Sequence, residues 1–364
     1  MQLNATLTWL VDAAGNSPGA DRFLAELGAH VVADDLPLAG GALTLAVPHP
    51  IIARRTWLWR ADNGVVIEAV GFAPAGFSSA GQNDSAGDAG RRWLAGLAGG
   101  TVHEDAVGPG PDRPVLCWIG PRAFTEAEII RLREVARFAA APLAALSARA
   151  TLSAALEAYL GRRSAARVLA GPLRRDVGET IRAALLFADL RGFTALSESE
   201  PPASVIRALD AWFDCMAGAV HAFGGEVLKF IGDGMLAIFP VTGDKPREAC
   251  DAALRAVTSA QAGMEHLDVA RRGQGLPSLS FGAALHVGEI LWGNVGAADR
   301  LDFTAIGPAV NLVSRLEGLC RPLGRTILVS GAVAAETTTK LIPLGTHPLR
   351  GIATPCDVYT VPGG

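Results

Sequence analysis

Two stretches in the C-terminal half of the chain place charged side chains where the surrounding pattern is apolar. Ala183 to Asp189 (AALLFAD) is a continuous apolar run that ends in a carboxylate. Glu226 to Pro240 (EVLKFIGDGMLAIFP) predicts two buried strands joined by a tight glycine turn, and it contains Lys229 and Asp233. An ionised group at such a position is costly unless it has a partner, such as a metal ion or a phosphate. Taken singly, Asp233 is equally explained as a solvated turn residue, and Asp189 is more often a cap or turn residue.

Asp189 and Asp233 stand at the ends of predicted neighbouring strands, where both carboxylates could hold magnesium. Mg²⁺ typically uses one or two protein carboxylates together with substrate phosphates. After Asp189, Gly192 permits close backbone approach, and Phe193-Thr194 opens a predicted helix whose amides could face a polyphosphate. The chain contains no GxxxxGK[ST] sequence, so a Walker-type phosphate loop is excluded.

A third stretch, LDFTAIGPAVNLVSRLEGL, predicts a strand, a break at Gly307 and a helix that begins at Pro308. On that helix Asn311 and Arg315 are four residues apart, so they share a face and could reach one ligand together. Surface helices often carry such pairs, so this spacing is weak support on its own.

Together, the segments FADLRGFT, GGEVLKFIGDGMLAIFP and DFTAIGPAVNLVSRLE resemble the catalytic domain of class III nucleotidyl cyclases. The resemblance covers about residues 180–362, with the motifs in the family's order. It implies an α+β domain with a ferredoxin-like βαββαβ core that works as a homodimer with sites between subunits. It also implies that Asp189 and Asp233 bind two Mg²⁺ ions per site, for which Mn²⁺ is a possible substitute.

The same resemblance implies roles for further residues, of which Lys229, Asn311 and Arg315 would come from the partner subunit. Lys229 would read the adenine ring, Asn311 would orient the ribose, and Arg315 would stabilise charge on the transferring phosphate. Arg350, in the tripeptide LRG, would contact the terminal phosphates. The residues expected beside the triphosphate are Gly192, Phe193 and Thr194.

One position departs from the commonest family pattern, because Thr304 stands where the second base-reading residue is usually Asp. A threonine there marks the subclass that includes bicarbonate-responsive cyclases. Its hydroxyl can accept a hydrogen bond from the adenine amino group without carrying charge. Lys229 with Thr304 therefore favours ATP, and the expected products are cyclic AMP and pyrophosphate.

Three other functions are alternatives to an adenylate cyclase. A guanylate cyclase remains the first alternative, and a catalytically silent, nucleotide-binding regulatory domain is the second. The presence of both aspartates, Asn311 and Arg315 disfavours a silent domain. A diguanylate cyclase is disfavoured because Gly224-Gly225-Glu226 continues as VLKF and does not match GG(D/E)EF.

The length of the chain, 364 residues, and the pattern of its predicted helices and strands indicate three segments. Residues 1–140 read as a small α+β sensor domain of the GAF or PAS kind with an unknown signal. Residues 141–178 read as a helical connector, with apolar residues at helical spacing over 143–169, which is either a dimer stalk or a helix packed on its own domain. Residues 179–364 form the predicted catalytic domain.

More detailed predictions accompany this division. A single helix is expected over 124–146, with a capping box formed by Thr125 and Glu128. A strand pair is expected around Gly288-Glu289, and His286 is read as a strand residue with a structural hydrogen bond. In the first domain, His49 and His103 are interpreted as ordinary side chains. Trp57, Trp59 and Trp93 could together line an apolar pocket, but Trp57 and Trp59 also fit one buried strand face.

Composition limits the partners. The formal charge of −4 and the lack of a basic run disfavour nucleic acid. Five widely spaced cysteines without CxxC spacing predict reduced thiols in a cytoplasmic protein. The most apolar stretch, 138–160, is interrupted by Pro142, Arg149 and Glu157, so no membrane span is expected. The N-terminus lacks the pattern of a secretory signal.

Overall fold

The computed structural model describes residues 3–46, 52–72, 87–171, 174–175 and 177–363. The chain divides into two compact units, Met1–Tyr159 and Leu160–Gly364. His49 and most of the predicted loop between Gly71 and Gly90 lie outside the described residues.

The N-terminal unit is built on a five-stranded antiparallel sheet with the order β3-β2-β1-β5-β4. Its strands are β1 (Gly40–Ala46), β2 (Ile52–Arg60), β3 (Val66–Phe72), β4 (His103–Ala106) and β5 (Val115–Ile119). Its helices are α1 (Ala5–Asp12), α2 (Ala20–Ala33), α3 (Gly87–Ala95), α4 (Glu126–Phe138) and α5 (Ala140–Leu160). Helices thus precede, interrupt and follow the strands, in an α+β arrangement.

The two faces of this sheet carry separate apolar clusters, because successive side chains of a strand point to opposite faces. Trp57 and Trp59 both belong to the larger cluster, which contains buried residues of α1, α2, α4 and α5. Trp93 packs against the smaller cluster, which includes Leu94 of α3. The three tryptophans therefore fill two different faces and do not line one pocket. His103 bonds through Nε2 to the Asp105 carboxylate at 2.8 Å.

The predicted helix over 124–146 is wrong in its extent, although its start is confirmed. Thr125 and Glu128 form a reciprocal capping box, with Thr125 N donating to Glu128 Oε2 at 2.7 Å. The helix ends at Phe138, and α5 continues at an angle of 48°. Pro142 gives the physical reason, since it has no N–H to donate to the Phe138 carbonyl one turn earlier.

The predicted connector helix is also broken, at Gly161. This residue has φ of +80°, a conformation that favours glycine, and α6 (Arg162–Ala170) begins directly after it. Along α5, Leu143 and Leu146 are buried in the core of the N-terminal unit, whereas Leu152 is 53% exposed and Tyr159 is 89% exposed. The apolar stripe thus continues beyond the part of α5 that packs in the core.

Within the described ranges, no single helix combines the length and apolarity needed to cross a bilayer. In the same described ranges, α4 and α5 reach that length and apolarity only when they are taken together across their bend.

The C-terminal unit contains an eight-stranded sheet with the order β12-β13-β11-β9-β6-β8-β7, with β10 paired to β9. Its strands are β6 (Val177–Arg191), β7 (Glu226–Ile231), β8 (Gly234–Pro240), β9 (Ser280–Gly296), β10 (Leu301–Ile306), β11 (Ile327–Ser330), β12 (Ile342–His347) and β13 (Cys356–Thr360). The remaining helices are α7 (Phe193–Ser199), α8 (Pro202–Ala222), α9 (Pro246–Gly273), α10 (Pro308–Glu317) and α11 (Gly331–Glu336). The series β6-α8-β7-β8-α9-β9 is the predicted ferredoxin-like βαββαβ core.

The strand pair predicted around Gly288-Glu289 is wrong, because β9 runs unbroken from Ser280 to Gly296. Gly288 and Glu289 pair with Ala183 and Arg182 of β6 within a continuous antiparallel ladder. The pairing along the whole of β6 supplies the backbone hydrogen bonds that a local hairpin would otherwise have made.

A buried carboxylate fixes the start of α6 against β7. Glu226 is 4% exposed, and its Oε1 accepts hydrogen bonds from the Ser164 amide at 3.0 Å and the Ser164 hydroxyl at 2.8 Å. The Ser164 amide lies in the first turn of α6, where amides lack partners within the helix. Glu226 therefore ties the entry of the C-terminal unit to the first residue of β7.

We expect Glu226→Ala to lower the free energy of unfolding by about 1.5–3 kcal/mol, because it removes hydrogen bonds to a buried charged group. Denaturant unfolding of the full chain measures this loss, and hydrogen exchange of the Ser164 amide reports it locally. The control is Glu248→Ala, which removes only an exposed contact with Lys245. Equal effects of the two substitutions would show that the Glu226 contact does not stabilise the unit.

Candidate active site

Two carboxylates meet where β6 ends and where β7 turns into β8. Asp189 of β6 pairs with Gly234 of β8, the residue after Asp233. Burial raises the pKa of Asp189, and the nearby Asp233 carboxylate raises it further. A Cβ atom at Gly234 would lie 2.9 Å from Asp189 Oδ1, so glycine is required for this close approach. The predicted proximity of Asp189 and Asp233 is therefore present in the fold.

A tryptophan holds the backbone of this turn. Trp212 of α8 is fully buried, and its Nε1 donates a hydrogen bond to the Asp233 carbonyl at 3.0 Å. Its ring lies 5.2 Å from that of Phe281. Gly232 adopts φ of +64° in the turn. The Asp233 backbone is thus fixed from the core side, and sequence reasoning missed this because the contact spans 21 residues.

A third carboxylate, Glu317 at the end of α10, lies near this pair and was missed by sequence reasoning. Burial raises its pKa to about 7, Asp189 and Asp233 contribute in the same direction, and Arg191 opposes them. The Arg191 guanidinium is itself held by the Arg325 carbonyl. A signal for Glu317 existed in the sequence, since it follows the buried Val313 by four residues and therefore shares its inward helix face. We call Asp189, Asp233 and Glu317 the carboxylate cluster.

A second polar group forms where β10 lies beside β7. Lys229 of β7 makes an ion pair with Asp302 of β10. Thr304 is two residues further along β10, so it shares a strand face with Asp302. Thr304 is 8% exposed, and within the described residues its hydroxyl has no hydrogen-bond partner. Lys229 and Thr304 thus lie in one region. Sequence reasoning missed Asp302 as a site residue, although it precedes Thr304 by two residues and therefore lies on the same strand face.

Helix α10 carries Asn311 and Arg315 on a different side from Glu317. Asn311 and Arg315 are both exposed, as their spacing on one helix face requires. Arg315 and Glu317 are separated by about 200° around the helix axis. Since Glu317 faces the carboxylate cluster, Arg315 is on the opposite side of the helix from the carboxylates of its own chain.

The residues that follow Asp189 take the predicted form. Gly192 has φ of +75° and precedes α7, which begins with Phe193. Phe193 is half-buried, and Thr194 is exposed. Arg350 is exposed beside the buried Leu349, and within the described residues no hydrogen bond or ion pair joins it to the other predicted site residues.

His286 is part of the fold, as predicted. It lies in β9, and its Nδ1 is 2.9 Å from the Ser330 hydroxyl. Burial lowers its pKa to about 4, so the imidazole is neutral at pH 7.

Comparison with known proteins assigns the unit that carries these groups. The sequence profile of the adenylate and guanylate cyclase catalytic domain matches residues 177–352. This segment belongs to that family. The cyclase domain includes the carboxylate cluster, the Lys229–Asp302 pair and the exposed pair on α10.

Curated relatives match the same part of the chain. Adenylate cyclase 1 of Rhizobium meliloti is 36% identical over 180 residues, which cover 49% of this chain and 27% of the relative. The adenylate cyclase of Anabaena cylindrica is 37% identical over 158 residues, which cover 42% of this chain and 30% of the relative. The chain therefore spans less than a third of the length of either relative.

Solved structures share the fold. The structure of a bacterial light-regulated adenylyl cyclase aligns with a TM-score of 0.51 at 21% identity, covering 71% of this chain and 84% of the other. At this identity the alignment concerns the fold alone.

The raised pKa of Glu317 predicts a pH dependence of stability in metal-free protein. Between the usual glutamate pKa of 4.5 and about 7, the folded state keeps a proton that the unfolded state releases. Stability should therefore fall as pH rises through this interval. Glu317→Gln cannot ionise, so its melting temperature relative to the parent chain should rise from near zero difference at pH 4.5 to a maximum above pH 7.

Thermal unfolding of the full chain in EDTA at several pH values measures this difference. Glu265→Gln, an exposed position on α9, is the control and should give a difference that does not vary with pH. A pH-independent difference for Glu317→Gln would contradict the assignment of its pKa.

Proposed function

We propose that the C-terminal unit is an adenylate cyclase that converts ATP to 3′,5′-cyclic AMP and pyrophosphate, with its sites between two copies of the chain. The main support for this proposal is that α10 carries functional side chains on two different sides. One side presents Glu317 to Asp189 and Asp233, whereas the other side presents Asn311 and Arg315 to the exterior. A site that uses both sets is complete only when two chains face each other.

Exposed apolar side chains beside these groups support association. Phe230 and Ile231, on the strand that carries Lys229, are 52% and 48% exposed. Leu291 and Ile306 are 45% and 42% exposed and pair with each other between β9 and β10. Exposed apolar patches of this kind mark protein interaction surfaces.

The pair Asp189 and Asp233 fits divalent magnesium, with Mn²⁺ as a substitute. Asp189 and Asp233 offer the oxygen ligands that hard cations prefer, and their mutual repulsion would be relieved by a cation. In the described part of the chain, no three His, Cys, Asp or Glu side chains are placed to hold a metal ion together, so phosphates and water would supply the other ligands. Two bound metal ions would lower the pKa of the attacking hydroxyl and stabilise charge on the phosphates.

The protein groups then bind and orient the nucleotide. Lys229 and Thr304 would contact the adenine edge, and Asp302 holds the Lys229 ammonium in place. Asn311 would orient the ribose so that its 3′-hydroxyl oxygen is in line with the α-phosphorus. As the new P–O bond forms, the hydroxyl proton would pass to solvent water and the bond to pyrophosphate would break. Arg315 would stabilise the negative charge that develops on the phosphate.

The backbone after Asp189 would receive the triphosphate. Gly192 turns the chain, and the first residues of α7, Phe193 and Thr194, would lie over the phosphates. Arg350, which is exposed, would contact the terminal phosphates.

We propose that the N-terminal unit is a sensor, GAF-like or PAS-like, for a signal of unknown identity. In this proposal the chain divides by function into a sensor at 1–140, a connector at 141–178 and a catalytic domain at 179–364. The N-terminal unit's single antiparallel sheet with helices packed on it and a long helix at its exit supports this proposal. The exposed Leu152 and Tyr159 of α5 favour a dimer stalk over a helix packed wholly in its own unit. Since ATP is the substrate, we place the enzyme in the cytoplasm.

We expect the purified full chain with Mg²⁺ or Mn²⁺ to form cyclic AMP from ATP and to use GTP less well. Thr304→Val removes only the hydroxyl and should lower kcat/KM for ATP about 3–10-fold, the loss of one hydrogen bond. Thr304→Ser keeps the hydroxyl and should retain most of the activity. Chromatography of the products from ATP and from GTP makes the measurement, and preferential formation of cyclic GMP would favour a guanylate cyclase. Binding of nucleotide with no product would favour a silent domain.

Sites shared between chains predict complementation. Asp233→Ala and Arg315→Ala alone should each lose about 10²–10³-fold or more in rate. Mixed together, they form heterodimers with one intact site, and random pairing should restore about a quarter of the parent activity.

The matched control mixes Asp189→Ala with Asp233→Ala, since both changes damage the same half-site and neither heterodimer site is whole. Cyclic AMP formation is measured before and after mixing at a fixed total concentration. Failure of the first mixture to recover, or equal recovery in the control, would rule out sites shared between chains.

A further inference from the structure

We propose that the C-terminal unit has a second binding site, specific for a small oxyanion that carries a phosphate or carboxylate group. The site is a cavity of about 300 Å³ between α7, α8 and the end of α9. Its size is at the lower end of the range for small-molecule sites. None of the residues that line it is among those assigned above to nucleotide or metal.

A buried guanidinium on one wall is the main observation. Arg271, near the end of α9, is 9% exposed and lines the cavity. Its Nε donates a hydrogen bond to the Pro277 carbonyl at 2.9 Å, which fixes the plane of the side chain. Within the described residues its two terminal nitrogens have no hydrogen-bond acceptor and no carboxylate within ion-pair distance. These two nitrogens are therefore available to donate charge-assisted hydrogen bonds to an anion in the cavity, and such bonds would stabilise the unit.

A second arginine lines the same cavity. Arg207 of α8 lines the cavity, and its Nη2 donates to the Ser204 hydroxyl at 3.1 Å. Both arginines line one cavity, and arginine side chains are the usual partners of phosphate and carboxylate oxygens. The chain as a whole carries a formal charge of −4, so this local positive charge does not reflect its composition.

One acidic side chain limits the ligand class. Glu200 also lines the cavity, and it forms no ion pair with an arginine in the described part of the chain. Its carboxylate would accept a hydrogen bond from a protonated ligand atom, such as the hydroxyl of hydrogen phosphate. The cavity therefore suits an oxyanion that also has a hydrogen-bond donor, and the carboxylate opposes a bulky polyanion.

The site touches two elements that position the candidate active site. Leu196 of α7 lines the cavity and follows Phe193 by three residues. Ala208 of α8 lines it as well, one turn before Trp212, which bonds the Asp233 carbonyl. If the proposed cyclase function holds, occupancy would change the KM for ATP. Binding itself is independent of that function.

The test uses inorganic phosphate as the probe and the full chain in EDTA, with binding measured by titration calorimetry. The parent chain should bind phosphate saturably. Arg207→Gln and Arg271→Gln should each weaken binding about tenfold or more, because each removes a charged hydrogen-bond donor. The matched control is Arg272→Gln, which changes the neighbouring exposed arginine and should leave binding unchanged.

A second control separates this site from the nucleotide site. Arg315→Ala should bind phosphate as the parent chain does, whatever its catalytic activity. Arg207→Gln alone decides the question if Arg271→Gln does not fold, since Arg207 is exposed. Absence of saturable phosphate binding, or binding unaffected by Arg207→Gln, would overturn the proposal.

Discussion

Burial of neighbouring carboxylates is the constraint on which the candidate site of the C-terminal unit depends. Burial raises the pKa of both Asp189 and Glu317, and the neighbouring carboxylates raise it further: Asp233 for Asp189, and Asp189 with Asp233 for Glu317. Such an arrangement costs stability unless protons or cations neutralise it. The fold maintains it by long-range contacts, through the ladder of β6 with β8 and the Trp212 hydrogen bond to the turn. Folding energy is thereby committed to a site that a cation would stabilise.

The parts that sequence reasoning predicted are those with local causes. The turn at Gly232-Asp233-Gly234 follows from two apolar runs and a glycine that adopts positive φ. The capping box at Thr125 is fixed by residues three apart. Asn311 and Arg315 share a helix face because helical spacing requires it.

The errors arose where distant residues decide the structure. Gly288-Glu289 reads as a turn, yet β6 pairs along both sides of it and keeps β9 extended. The contacts of Trp212 with Asp233, and of Glu226 with Ser164, join residues far apart in the sequence. Local spacing contains no information about such pairs. The bend before Pro142 has a local cause, because a proline within a helical pattern removes a hydrogen bond to the preceding turn.

The two sides of α10 have a consequence for how output scales with the amount of protein. If a lone chain holds only half of each reaction centre, its specific activity at high dilution falls toward zero. Turnover per chain then rises with abundance until association is complete. The expression level of the protein, and any signal that alters its self-association, would then both change the turnover per chain.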